Sequence, residues 1–347
     1  MTLSTRPVHH DSETLQLLRL LQTNLPDLPH ERRYQWLYRG NPDGPAWSWF
    51  ACHGKASQPV GVASVFPRSM WVGDQLQMCG QVGDFAIDVG HRSLGPALLL
   101  QRATFAPVDQ GKLAFCYDCP PHEAGMSTFR RLSMRPNCVM ERYVLPLRVD
   151  AYVRKRFGFG AAIPASIGNL LLRAYRWSAS RSRPRDLEIA EHDGPFGEEF
   201  SRLDNSVKDA KVIRGQRSAA HLNWRYRDDP LQRYRVLVAR RNGELLAFVV
   251  YCVAPEVITI VDVFGRDLRV AGMALLASLV ERFERSHQSI EAFLSNGSES
   301  DQCFLNMHFR RRSQTARVVA YAKPSGCTSA FLQSGPNWAF HQAELRA

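Results

Sequence analysis

The chain has 347 residues, 45% of them apolar and 22% charged, which is the balance of an ordinary globular protein and a length that suggests two domains, each able to bury its own core. No stretch approaches the 18 or more uninterrupted apolar residues of a membrane span, and the start Met1-Thr-Leu-Ser-Thr-Arg-Pro lacks the apolar core of a secretory signal, so a cytoplasmic location is expected. The formal charge of +11 fits a polyanionic ligand; nucleic acid binding is not expected, because the basic residues lack aromatic interleaving or a recognised binding motif.

Asp11 or Ser12 is expected to cap a first helix running to about Gln22, with Leu15, Leu18 and Leu21 on one face. Next comes Trp36-Leu-Tyr38-Arg39-Gly-Asn41-Pro42, which reads as a last helical turn breaking into a loop. It returns 188 residues later as Trp224-Arg-Tyr226-Arg227-Asp-Asp229-Pro230. Core packing is the expected role of Trp36 and Trp224, while Arg39, Asn41, Arg227 and Asp229 are within reach of a substrate. Paired strands follow each copy: 46–51 and 60–65 in the first, 234–239 and 245–251 in the second, the latter joined by an Asn-Gly turn at Asn242-Gly243.

A second repeated motif follows. Arg92-Ser-Leu-Gly95-Pro-Ala97 recurs as Arg269-Val-Ala-Gly272-Met-Ala274, each time between a β-rich run and an apolar helical stretch. That order places a tight loop at a helix N-terminus, where unpaired N–H groups and the helix dipole bind phosphate. Two repeats in the same order imply a duplicated unit.

The string Asp88-Val-Gly-His-Arg92-Ser-Leu-Gly95-Pro-Ala97 resembles the pyrophosphate loop of the GNAT N-acetyltransferase superfamily. The resemblance extends over two units, roughly 12–148 and 190–323. It implies an α+β fold of two tandem GNAT-like domains, each a mixed, mostly antiparallel twisted sheet flanked by helices. The expected division is an N-terminal domain over 1–148, a basic linker over 149–189, and a C-terminal domain with its tail over 190–347. It also implies an acyl-CoA, acetyl-CoA first, as co-substrate, and an N-acyltransferase that acts on an amine of a small molecule or sugar. Ile87, Val89, Arg92, Ser93, Leu94, Gly95 and Ala97 are the expected cofactor-binding residues, with the amide of Ile87 or Val89 polarising the thioester carbonyl. The first unit keeps the fuller loop and is expected to bind the donor, leaving the second degenerate or substrate-shaping.

An attacking amine must shed a proton. Asp84 and Asp88 are the carboxylates proposed for that task, and Asp262 is the counterpart of Asp84 in the repeat. Relatives often place a Tyr in the helix after the next strand to protonate the departing thiolate. Phe129 and Phe304 stand at the matching positions, so Tyr117 or His122 is the substitute in the first unit. Pro96 is a second departure, because it removes one N–H from the cradle. Two other readings remain: a peptidyl or aminoacyl transferase with paired GNAT-like units, and a non-catalytic binding protein of this fold.

Cys116-Tyr-Asp-Cys119 has metal-ligand spacing but no second pair, so free thiols are expected and no metal. Between Arg148 and Arg185 nine Lys or Arg residues face one acid, Asp150, around an apolar middle. That segment is suited either to an interdomain helix or, through 154–185, to peripheral contact with an anionic membrane surface.

Overall fold

The computed structural model describes residues 3–54, 58–120, 123–149, 169, 184, 186–324, 327–332 and 338–345. The basic segment 154–185 therefore lies almost wholly outside the described residues, as does His122.

The first unit runs β1 (Leu3–Pro7), α1 (Thr14–Asn24), α2 (His30–Tyr34), β2 (Trp47–His53), β3 (Gln58–Val72), β4 (Gln75–Ile87), α3 (Leu94–Asp109), β5 (Phe115–Asp118), α4 (Glu123–Arg131) and β6 (Cys138–Pro146). The second runs β7 (Glu188–Glu191), α5 (Glu198–Ser206), β8 (Ile213–Gly215), α6 (Ala219–Tyr226), β9 (Arg235–Arg241), β10 (Glu244–Val253), β11 (Val257–Gly265), α7 (Met273–Phe283), β12 (Ser289–Ser295), α8 (Glu299–Asn306) and β13 (Arg310–Ala322), followed by α9 (Cys327–Leu332). The two series match element for element from the paired strands onward, as the repeats require. Asn242 and Gly243 both adopt positive φ between β9 and β10, the geometry a two-residue hairpin turn demands.

All thirteen strands form one sheet, in the order β1-β2-β3-β4-β5-β13-β6-β12-β11-β10-β9-β7, with β8 added to β3. The last strands of the units are exchanged. β13 of the second unit pairs with β5 of the first, and β6 of the first pairs with β12 of the second. The units consequently share a sheet and cannot separate without breaking four ladders, β5–β13, β13–β6, β6–β12 and β3–β8.

Alternation along the strands loads both faces of the sheet. In the first unit Phe50, Val62, Phe66 and Ala86 meet Leu17, Leu20 and Leu21 of α1 and the aromatic run Tyr34–Tyr38, while Ala63, Val65 and Val82 face Leu100 and Val108 of α3. The buried α1 stripe is thus Leu17, Leu20 and Leu21; Leu15 is 71% exposed, and the helix starts at Thr14, later than its expected cap. Its first turn is anchored by Glu13, whose carboxylate accepts from the His9 N–H at 2.8 Å and pairs with Arg6 at 2.7 Å.

The two Trp residues of the repeated motif stack on each other, with centroids 5.0 Å apart and planes at 22°. Each indole N–H donates to the other's backbone carbonyl, Trp36 to Trp224 at 2.7 Å and Trp224 to Trp36 at 2.9 Å. This reciprocal pair marks a pseudo-twofold axis through the seam. The remaining motif residues are mostly spent on structure: Arg39 pairs with Asp11, Asn41 donates to the Pro67 carbonyl, and Arg227 donates to the His192 carbonyl.

Candidate functional site

In both units the central strand and its parallel neighbour start paired and then part. β4 and β5 pair only at Gly80–Cys116 and Gln81–Tyr117; β11 and β12 pair from Val257–Ser289 to Ile260–Ala292. Each splay begins beside a bulge that carries an aspartate. The register between β3 and β4 slips at Asp84-Phe85, and that between β10 and β11 slips next to Asp262. Asp84 takes φ of 49°, so the bulge breaks the strand parity that would have put Asp84 and Asp88 on one side.

The two aspartates are held alike. Asp84 accepts from the Tyr38 hydroxyl at 2.6 Å and pairs with Arg33 at 2.5 Å. Asp262 accepts twice from Arg217, at 2.9 and 2.8 Å, and from the Tyr226 hydroxyl at 3.2 Å. Tyr38 and Tyr226 are the matching residues of the repeated Trp-x-Tyr motif, so the motif exists to place a phenol on the bulge carboxylate. Burial together with the adjacent Asp84 charge pushes the Tyr38 hydroxyl well above its ordinary pKa, which keeps it a donor. Burial alone would raise Asp262, but the Arg217 guanidinium and His341 hold its carboxyl below the usual range.

The splays then diverge. In the second unit the segment 338–341 enters the gap. Ser295 donates its N–H to the Phe340 carbonyl at 2.9 Å and its hydroxyl to the Trp338 carbonyl at 2.6 Å, while His341 lies 3.3 Å from Asp262 on the other side. The Trp338 and Phe340 side chains are fully buried at the seam, against Phe115 and Tyr117 of β5. The matching phosphate loop is also spent: a π turn over Leu268–Gly272 runs straight into α7, the N–H groups of Val270 and Ala271 bond to the Asp267 carbonyl, and a Cβ on Gly272 would press on Leu268 and Cys303 at 3.2–3.3 Å. A remnant cavity of about 310 Å³ lies beside Val263, Leu268 and His341.

The first splay stays open as a cleft of about 760 Å³. Val82, Gly83, Asp84 and Phe85 of β4 line one side and Asp118 and Cys119 the other; Arg32, Arg33 and Trp36 come from the first unit, and Arg225, Asp229 and Tyr234 from the second. Of the four polar motif residues expected near substrate, only Asp229 reaches the cleft.

The expected donor loop lies at the end of the same strand. Asp88 donates its N–H to the Val60 carbonyl at 2.8 Å, so antiparallel alternation turns the N–H and C=O of Ile87 away from β3, towards the gap. Arg92 folds back, its Nε donating to the Ile87 carbonyl at 3.0 Å, and Asn24 bridges to Asp88 at 2.7 Å, which braces the loop against α1. Ser93 precedes α3 in extended conformation without capping it through its side chain, and its N–H is taken by His91 at 2.7 Å. The first-turn amides ahead of the intrahelical ladder are then those of Leu94 and Gly95, since Pro96 has none. Ser93, Leu94 and Gly95 are exposed, and a Cβ on Gly95 would meet only Leu3, at 3.4 Å. Ala97 is half-buried behind them, and Val89 is 72% exposed beside them.

Tyr117 does not face this cleft. It is buried against Phe115 and Phe340, and its hydroxyl, unpartnered among the described residues, faces a small cavity of about 20 Å³ at the seam that Arg68 and His221 also line. Strand parity accounts for this: Tyr117 and Asp118 point to opposite faces of β5. Asp118, beside it in the Cys-x-x-Cys stretch, is the cleft residue that sequence reasoning passed over. Its carboxyl is raised to about 7 by burial, with only the Cys119 N–H opposing that. The cysteines are free thiols, and no cluster suited to a metal occurs among the described residues; burial pushes the Cys116 thiol upward, which makes it inert.

No family model and no curated protein matches the chain. Solved structures do. A probable N-acyltransferase from Enterococcus faecalis V583, described as a conserved protein of unknown function, is similar over 93% of this chain and 72% of its own, with a TM-score of 0.69 at 12% identity. The fold is that of the GCN5-related N-acetyltransferases. A GNAT protein so named from Anabaena variabilis ATCC 29413 matches over 92% of this chain and 72% of its own, with a TM-score of 0.66 at 10% identity. Another from Kribbella flavida covers 92% and 71%, with a TM-score of 0.61 at 13% identity. The GNAT fold spans both units, which agrees with the tandem architecture that the repeats imply.

Proposed function

We propose that the chain is an acyl-CoA-dependent N-acyltransferase in which the first unit binds the donor, acetyl-CoA in the first instance, and the cleft admits an amine of a small molecule or sugar. One observation carries this reading: of two duplicated splays, the second is crossed by the chain's own tail and keeps a cavity of about 310 Å³, while the first holds a cleft of about 760 Å³, with an unspent helix N-terminus beyond the end of its central strand. A duplicated site kept wide in one copy and narrowed in the other fits a single donor pocket. The similarity to proteins named as N-acetyltransferases supports it as well.

In this reading the diphosphate sits on the amides of Leu94 and Gly95, with Ser93 and Arg92 at the rim and Ala97 behind. The pantetheine lies along the free edge of β4, and the Ile87 N–H, aimed into the gap, stabilises the developing oxyanion, with Val89 next in line. Asp84, paired with Arg33 and Tyr38, shapes the wall at the bulge. Asp88, bridged to Asn24, holds the loop. Phe129 and Phe304 stand where relatives often place the tyrosine that protonates the departing thiolate, so here the thiolate takes its proton from water. That departure favours the second reading, a non-catalytic binding protein of GNAT fold.

Acetyl-CoA titrated by calorimetry, and thiol release with acetyl-CoA and a panel of primary amines, separate the two. Binding with turnover supports the enzyme, and no binding of any acyl-CoA removes it and leaves the second reading standing.

A further inference from the structure

Three carboxylates border the open cleft: Asp84, Asp118 and Asp229. Asp229 accepts from the Tyr234 hydroxyl at 2.9 Å and from the Leu231 N–H at 2.8 Å. Asp84 is occupied by Arg33 and Tyr38. Its twin Asp262 makes the equivalent contacts in the unit whose splay is narrowed, so this arrangement belongs to the architecture of the bulge and not to chemistry at an open site. Asp118 has no such twin. On β12 the residues on the face that Cys116 and Asp118 share on β5 are Ile290, Ala292 and Leu294, all apolar and buried. A carboxylate stands at the end of the parallel strand only where the gap is wide.

Asp118 is partly buried at the carboxyl end of β5, and among the described residues no cationic side chain lies within ion-pair distance of it. The charged and titratable groups around it are Arg32, Arg33 and Asp84 across the cleft, Arg225, Asp229 and Tyr234 from the second unit, and the neighbouring Cys119. On β13 its partner is the uncharged Val319. A carboxylate in a cleft, unpaired and partly withdrawn from water, is the arrangement of a proton acceptor.

We propose that Asp118 is the catalytic base, which takes the proton from the amine that attacks the thioester; this rests on the acyltransferase reading above. An ammonium substrate gives one proton to the Asp118 carboxylate, which later returns it to solvent. The freed amine attacks the carbonyl carbon, so that the C–N bond forms and the C–S bond breaks. The second proton on nitrogen moves through water to the departing thiolate, leaving amide and thiol.

The test is thiol release by the full chain with acetyl-CoA and glucosamine, spermidine or lysine, read as kcat/KM against pH for the wild type, Asp118→Asn and Asp118→Glu. Binding of acetyl-CoA is measured for each by calorimetry. The wild type is expected to lose activity below about pH 7, where Asp118 takes up a proton. Asp118→Asn should bind acetyl-CoA normally, fall in kcat/KM by about 10²–10⁴-fold and lose that acid limb. Asp118→Glu should keep a limb. An Asp118→Asn protein within threefold of the wild type, or one with the limb unchanged, overturns the proposal alone. A wild type that releases no thiol with any acyl-CoA and amine offered overturns the acyltransferase reading and this proposal with it. Carbon NMR of labelled aspartate carboxyls gives a readout independent of turnover: a resonance titrating near pH 7 and absent from Asp118→Asn supports the proposal, and titration of that resonance below pH 5 overturns it.

Discussion

Replacing Asp262 by asparagine should be the most damaging isosteric change in the protein. Its carboxylate is 2% exposed, accepts two N–H groups from an Arg217 that is itself 2% exposed, and accepts the Tyr226 hydroxyl. An amide of the same shape returns one acceptor oxygen and puts an NH2 group against the guanidinium, leaving a buried cation without its partner. Removing one member of a buried pair costs about 3–5 kcal/mol. Glu344, 3.5 Å from Arg217, offsets a little of that, so the lower end, about 3 kcal/mol, is the expected loss. Asp84→Asn should cost less, ~1–2 kcal/mol, because Arg33 lines an open cleft and water can replace the lost oxygen. Urea unfolding at pH 7 measures both. The sign with pH follows from the depressed Asp262 pKa: the stabilisation is present above the unfolded carboxyl's pKa and is lost as pH falls through the folded one. Adding Arg217→Met to Asp262→Asn should recover much of the loss, since the stranded charge is then gone. A loss below about 1 kcal/mol for Asp262→Asn, or a double variant no more stable than the single, would refute this account of the bulge.

Trp36→Phe keeps the stack but deletes an indole N–H that donates to the Trp224 carbonyl, so the seam should lose ~1–3 kcal/mol in the same unfolding assay, with the buried carbonyl left unpaired. Asp118→Asn should have the opposite effect on stability. Because the folded pKa is raised to about 7, this group's contribution is complete below the unfolded value of 3.8 and is lost as pH rises through 7, so the variant should gain on the wild type between pH 5 and pH 9. The gain should be ~2 kcal/mol once the partial exposure is allowed for, measured by unfolding at the two pH values. Pro96→Ala adds a third amide to the mouth of α3 and should tighten acetyl-CoA binding by about three- to tenfold in calorimetry, the worth of one hydrogen bond to an anion discounted for exposure.

The elements legible in the sequence are those whose cause is local. The repeated Trp-x-Tyr motif, the Asn242-Gly243 turn and the strand–loop–helix order around Arg92 each follow from residues within a few positions of one another. The match between Asp84 and Asp262 in the repeats points to one job for both. The exchange of β6 and β13 left no local trace, since an alternating strand carries no mark of which of two similar sheets it will extend. The tail was equally silent: that the backbone of 338–341 enters the second splay depends on a gap formed at Ser295, far from it along the chain. Asp118 was hidden by its neighbours, because the cysteines at 116 and 119 drew notice to metal spacing and Tyr117 to its hydroxyl, while one step of strand parity put the aspartate on the cleft and the tyrosine in the seam.

The most direct test of the account is a crystal of the full chain grown with acetyl-CoA, read together with the calorimetric stoichiometry. The asymmetry between the splays predicts one molecule bound per chain, its diphosphate on the amides of Leu94 and Gly95 and its thioester in the gap beside Ile87. A molecule seated at the loop over 266–272, two molecules per chain, or an empty first cleft at saturating ligand would contradict it.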